Sequence, residues 1–460
     1  MISSILFGQI PLMIEEFARA GGGGSGGGSG ALFIGLAGYV PMHLLGHFLR
    51  KHRYGKEGWF IAQIINWIIA SVIALIFLVI MVFSGSFFVG FYICLPIAVG
   101  ALAGTGAGLY NWFAKVRQSS QVRTTLTTAE AKDANWNEAK LVQHAKDVFL
   151  KFQQDWSLFN IDSMAQYLTP NYKNHITLMM YALKGAHRVN KVNNPQITTE
   201  LITSATDSDD NSKDTFTVGF TATANDQLFD DRDGKLLFQD NRPFTEFWRF
   251  NRNGSDWLLD GIDQGSADAT KIRNDIRQFA MQNGLYYSAD WGWLLLPADG
   301  YLFSKGKFGV SDINNHVIGV VNTVLTQAYT YEPTLSKQGY NNRDKYLVMQ
   351  TNVQKSYGRI LVKRKSGLID WPVGGGLTRI KMEWGEFNNI YDVYASDLER
   401  VTSFELLNPA FMAVLRDLPF QVSIEVIDNV VYIFTKSGTD ISHYAALYDV
   451  LLKAQKEMQL

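Results

Sequence analysis

Few residues in this chain stand at spacings that do chemistry. His43 and His47 lie four apart and would share a helix face, a spacing that can ligate metal or haem. No carboxylate or third ligand lies near them, so the better reading is polar residues near a membrane interface. His175 and His187 could each supply half of a His-Asp pair, yet no spacing in the sequence fixes a partner. Asp312, Asn314, Asn315 and His316 could hold a metal or a polar substrate, but local turn bonding is the better reading. Gly374-Gly375-Gly376 follows Trp371-Pro372 with neither a Lys-Ser/Thr pair nor a dinucleotide fingerprint, which makes it a turn rather than a phosphate cradle. Lys363-Arg364-Lys365 reads as a solvated strand end or loop. The sequence holds no nucleophile motif, HExxH helix or EF-hand loop. The one cysteine, Cys94, excludes an intramolecular disulfide framework and a Cys-rich zinc module. No catalytic residue, metal site or cofactor is therefore predicted.

The elements that would position any site are legible from charge. The 460 residues carry 42 Lys/Arg and 43 Asp/Glu, a formal net charge of -1, which argues against a basic nucleic-acid binder. The average hides an uneven distribution. Residues 1–128 hold eight basic and three acidic residues, residues 129–270 hold 14 and 21, and residues 271–460 hold 20 and 19. Residues 59–83 contain no charge across 25 positions, which at about 1.5 Å per residue exceeds the roughly 30 Å hydrocarbon core. Residues 87–113 are also charge-free, and Gly100, Gly104 and Gly108 would let helices pack closely in lipid, including those of a second copy. Residues 31–49, interrupted by Pro41, make a third and shorter candidate span. Three transmembrane helices put Arg50, Lys51, Arg53 and Lys56 on the same side as Lys115, Arg117 and Arg123, the cytoplasmic side by the positive-inside rule. Residues 21–30 (GGGGSGGGSG) form a flexible linker. The preceding tail lacks a basic n-region and ends in Glu15-Glu16, against a signal peptide and for an interfacial helix or loose tail.

Residues 114–135 are polar and read as a linker or helical stem. Val142, Ala145, Phe149, Phe152 and Trp156 then recur at three- and four-residue steps, the mark of an amphipathic helix. A second helix starts near Asp162, and Thr169-Pro170 opens a third that ends near Arg188. Alternation follows, with strands expected at 196–205, 213–223, 227–239, 243–252 and 256–263, and Asp226, Asp231 and Asp233-Gly234 as turn residues. Helices followed by antiparallel strands predict an α+β domain over 136–266. Phe152-Gln153-Gln154-Asp155-Trp156, Asp162 and Tyr167-Leu168-Thr169-Pro170 resemble the opening of the Tim44-like domain. Its closing pattern is matched by residues 244–252 (FTEFWRFNR) and 257–264 (WLLDGIDQ). The resemblance covers about 130–265 and implies an NTF2-like fold, a cone of helices on a bent antiparallel sheet, in a protein working at a membrane surface. Bacterial members of this family often carry glycine-rich N-termini and membrane helices ahead of the domain, as this chain does.

Strand parity places Glu246, Trp248, Phe250 and Arg252 on one face, with Phe247 and Arg249 on the other. With Phe149, Phe152, Trp156 and Trp257, these residues could line a pocket for an acyl chain or a partner helix, or form the core between helix and sheet. NTF2-like folds also host enzymes that place a carboxylate or a His-Asp pair inside the cone. The net charge of -7 over 129–270 disfavours adsorption of the domain itself to anionic lipid.

A connecting helix over 267–284 carries Ile272, Ile276, Phe279 and Ala280 on one face and stops at Gly284. In the mixed α+β domain over 285–460, strands are expected at 378–383 and 389–395 and a helix from Asn408-Pro409 to Leu415. A hairpin turns at Asp428-Asn429, and Ile441, Tyr444, Ala445, Tyr448, Leu451 and Leu452 make a final amphipathic helix. Residues 387–389, 391–397, 406–412 and 431–434 resemble the DUF3137 family, which implies a bacterial membrane-associated protein without an assigned activity. The expectation is a non-enzymatic adaptor in the bacterial cytoplasmic membrane that binds membrane lipids or a protein partner and no nucleic acid. An enzyme using the cone, or an oligomeric scaffold, are the alternatives.

Overall fold

The structure, a computed structural model, describes residue 79 and residues 120–264, 273–292, 294–297, 300–303, 312–332, 345–353, 356–365, 376–396, 407–436 and 441–457. The tail 1–30 and the expected spans at 31–49, 59–83 and 87–113, with Gly100, Gly104 and Gly108, lie outside the described residues apart from Val79. Among the described residues no helix is long and apolar enough to cross a membrane.

The chain divides into two compact units, Met1–Val142 with Thr199–Thr221, and Gln143–Thr198 with Ala222–Leu460. In the first, the expected stem is a helix, α1 (residues 120–132), closed by a 3-10 turn at Ala134–Trp136 that Asp133 caps by accepting from Asn135 N–H. Leu126, Trp136, Leu141, Phe216, Val218 and Phe220 are among its buried residues, and Lys132 pairs with Asp207 at 3.0 Å.

In chain order follow α2 (Glu138–Ser157), α3 (Ile161–Met164) and α4 (Pro170–Gly185). The first sheet then comprises β1 (Arg188–Thr206), β2 (Thr215–Asp230), β3 (Leu236–Asp240), β4 (Phe244–Asn253) and β5 (Asp256–Gln264). Its order is β1-β2-β4-β5, with β3 paired to β2. Helices on an antiparallel sheet are what the sequence predicts, with two shifts. β1 starts at Arg188, not 196, because residues 188–195 (RVNKVNNP) lack the apolar alternation that betrays a strand. The strand expected at 227–239 is two pieces: its first residues extend β2, and β3 starts after a turn closed by Gly234, whose φ of +70° suits glycine.

The second sheet has nine strands: β6 (Tyr286–Gly292), β7 (Asp312–Val321), β8 (Val324–Glu332), β9 (Tyr346–Asn352), β10 (Arg359–Arg364), β11 (Thr378–Ile380), β12 (Tyr391–Ala395), β13 (Ser423–Ile427) and β14 (Val430–Thr435). Their order is β11-β12-β10-β13-β14-β9-β8-β7-β6. Helices α5 (Asn274–Gln282), α6 (Gly385–Ile390), α7 (Pro409–Asp417) and α8 (Ile441–Glu457) accompany it. Val362, Met349, Ile424 and Ile433 form one core with Leu415 of α7 and with Leu447 and Leu451 of α8. Gln455 of α8 fixes that packing from inside, donating from Nε2 to Thr326 and Thr351 at 3.2 and 2.9 Å. Asn408 caps α7, accepting from Phe411 N–H at 2.9 Å, and Asp428 turns the β13–β14 hairpin with a φ of 53°. The strand expected from 389 begins at Tyr391. Residues 389 and 390 close α6, where Trp384, Phe387 and Tyr391 stack in turn at 6.4 and 4.8 Å, a spacing that fits a helical turn.

Helix α4 lies against β5 of the first sheet and β7 of the second. Both sheets therefore bury residues of one helix.

Candidate functional site

Thr169 sets the start of α4. Its side chain accepts from Tyr172 N–H at 3.2 Å, Pro170 fills the first turn, and the Thr169 hydroxyl donates to Asp260 Oδ1 at 2.9 Å. Its backbone N–H also donates to Leu259 O at 2.9 Å. The two ends of the Tim44-like pattern are thus bonded to each other. Upstream, Tyr167 donates to Asp155 Oδ2 at 2.9 Å, and burial with the Asp155 carboxylate holds its hydroxyl far above the usual phenol range.

Between α2 and β4 the expected aromatic group is brought together. Phe149 lies 5.0 Å from Trp248, Phe152 meets Trp248 edge-on at 5.3 Å, and Phe152 stacks on Trp156 at 6.0 Å. Phe250 is met edge-on by His144 at 5.7 Å, and Arg252 lies over Trp257 at 5.8 Å. None of the six aromatics is more than 5% exposed, so their rings form core between helix and sheet. Strand parity holds: Trp248, Phe250 and Arg252 are buried, whereas Arg249 is exposed and pairs with Asp260 at 3.1 Å.

Polar groups rim this aromatic floor. Trp248 Nε1 donates to Glu246 Oε2 at 3.0 Å, and Gln264 Nε2 donates to its other oxygen at 2.8 Å. Burial raises the Glu246 carboxyl above its ordinary range, and those two hydrogen bonds oppose the rise. Trp156 Nε1 donates to Asn190 Oδ1 at 2.8 Å, and Asn190 Nδ2 donates to Asp226 Oδ1 at 2.5 Å. Burial pushes the Asp226 carboxyl up to about 6, with the Asp240 and Glu246 carboxylates adding to the rise and Asn190 resisting it. Asp226 and Asp240 face each other across β2 and β3. The raised Asp226 carboxyl keeps a proton up to about pH 6.

Of these rim residues, no sequence pattern points to Asn190, and Gln264 stands only at the end of the 257–264 motif. Asp226 reads as a turn residue, yet it sits inside β2. The signal was parity, since Phe216, Val218, Phe220, Ala222 and Ala224 are all buried and 226 continues their series.

The remaining candidates sit elsewhere. His187 is exposed at a φ of 55°, 3.1 Å from Asp231. His175 is buried on α4, its Nε2 3.3 Å from Ser288 Oγ, so the two histidines form no common dyad. Asn314, Asn315 and His316 lie in a bulge of β7; Asn315 accepts from the Tyr287 hydroxyl at 2.7 Å, and His316 Nε2 lies 3.0 Å from Gln327 Oε1. Among the described residues no group of three or more His, Cys, Asp and Glu could hold a metal.

Residues 122–264 match the Tim44-like domain. No curated protein matches the chain. Two solved structures are similar to parts of it. One is the crystal structure of the mycobacterial trehalose monomycolate transport factor A, TtfA, at 12% identity and a TM-score of 0.30, covering 40% of this chain and 90% of that one. The other is the intermembrane space region of chloroplast protein ARC6, at 16% identity and a TM-score of 0.21, covering 27% of this chain and 95% of that one.

Proposed function

We propose that this chain is a membrane-anchored tether, held by helices over 31–113 in a bacterial cytoplasmic membrane and presenting a Tim44-like domain to a protein or lipid partner on the cytoplasmic side. The observation that carries the reading is that residues 122–264 match the Tim44-like domain directly after two charge-free stretches with basic flanks. The closed aromatic floor supports it as well, because packed rings give the domain a rigid body rather than an open reaction chamber. The C-terminal half, which resembles DUF3137 in sequence, travels with the same anchor. In fractionated cells, the full chain would resist alkaline extraction from membranes and withstand protease added to intact spheroplasts. A chain lacking residues 31–113 would become soluble. Digestion of the C-terminal half from outside, or membrane retention without 31–113, would end the proposal. Capture from solubilised native membranes, with lipid and protein mass spectrometry on one eluate, would then identify the partner.

One feature favours an enzyme in the cone: burial raises both the Asp226 and the Glu246 carboxyls, and the Glu246 charge adds to the rise at Asp226. Under that reading Asp226→Asn abolishes turnover of a membrane-derived small molecule. Under the tether reading the same variant leaves partner capture intact.

A further inference from the structure

Two histidines meet where α4 lies on the second sheet, and neither belongs to the site above. His175 projects from α4, stacks on Tyr286 of β6 at 5.1 Å and 14°, and bonds Ser288 of the same strand at 3.3 Å. His316 of β7 stands opposite Ser288 in the strand register. It stacks on Tyr329 of β8 at 6.2 Å and bonds Gln327 through Nε2, while its Nδ1 is buried without a partner. His175 is 6% exposed and His316 not at all.

Among the described residues, the groups stacked on or bonded to these rings are uncharged. From α4 there is Tyr172, edge-on to His175 at 6.0 Å, and from β6 there are Tyr286 and Ser288. From β7 and β8 there are Asn314, Asn315, Gln327 and Tyr329. Further out, the Glu246 and Asp263 carboxylates act on Tyr172 and the fully buried Arg188 acts on Tyr329. A proton on either imidazole would therefore be a buried charge with no described carboxylate bonded to it.

We propose that His175 and His316 form a pH-operated clasp between α4 and the second sheet, closed while both rings are neutral and released by acid. Burial, with the mutual repulsion of the two rings at His175, holds the closed-state values at about 3 for His175 and about 4 for His316, well below the ordinary 6.5. Below pH 6.5 the opened form takes up protons that the closed form refuses, so closure weakens steadily as pH falls. Between pH 7.5 and 5.5 the opening constant rises about tenfold for each imidazole, or about a hundredfold for the pair.

Backbone hydrogen exchange of the full chain, corrected for the intrinsic pH dependence, reads this directly. Peptides from 170–185 and 286–292 should lose about a hundredfold protection between pH 7.5 and 5.5, while α8 keeps its protection. His175→Gln or His316→Gln should each cut the loss to about tenfold, and the double variant should abolish it. Unchanged protection in the wild-type chain, or an unchanged loss in the double variant, overturns the clasp. Should the variants misfold, imidazole C2–H exchange on the wild-type chain decides: both rings should stay neutral through pH 6, and an ordinary midpoint near 6.5 at either ring overturns it.

Discussion

The Thr169 hydroxyl caps α4 and also donates to Asp260, which in turn holds Arg249. Thr169→Val should therefore cost about 1–2 kcal/mol in urea unfolding, with Thr169→Ser recovering most of it. Asp226 makes a second prediction at this scale. Its folded-state value near 6 lies above the ordinary 3.8, so the folded form keeps a proton that the unfolded form gives up. Its contribution is complete below about pH 4 and is lost as pH rises through 6. Asp226→Asn should thus stabilise the chain by on the order of 2 kcal/mol at pH 8 and hardly at all at pH 3, read from urea midpoints across pH. Thr169 was legible, because threonine before proline at a helix start has one common meaning. Asp226 was not, because aspartate favours turns and its inward orientation depends on where β2 ends.

Strand β4 is the element the sequence describes best. Trp248, Phe250 and Arg252 at its even positions are buried, while Arg249 and Asn253 at odd positions are exposed, as aromatic alternation predicts. Trp248 touches both Phe149 and Phe152, so Trp248→Ala should destabilise by about 3–5 kcal/mol, whereas Trp248→Phe should lose far less, as thermal unfolding would show. Helix α8 was equally plain as an amphipathic pattern, but the residue that orients it was hidden. Gln455 reads as an ordinary polar residue near a helix end; only the strand register reveals two buried hydroxyls waiting for its amide. Gln455→Leu should cost about 1–3 kcal/mol and be seen first as faster exchange of α8 amides. Boundaries at β1 and α6 escaped for a related reason. A polar strand and a one-turn aromatic helix take their form from partners distant in sequence.

At the scale of the whole molecule, no local pattern shows that α4 serves two sheets. Its residues look like one more amphipathic helix of the Tim44-like domain, and the second surface appears only once β6 and β7 are in place. Residues 120–264 produced alone should consequently melt several degrees below residues 120–460, because the α4 face bearing His175 loses Tyr286 and Ser288. Equal melting temperatures by calorimetry would count against the sharing. The arrangement also has a consequence in time. Ribosomes deliver α4 long before β7, which ends at Val321, and at roughly 5–20 residues per second the interval is about 7–27 s. Throughout that interval the nascent chain displays a finished helix whose second seat has not been made. Synthesis speed between residues 185 and 321, and any chaperone able to shield one helix face for that long, would then govern the yield of correctly folded protein.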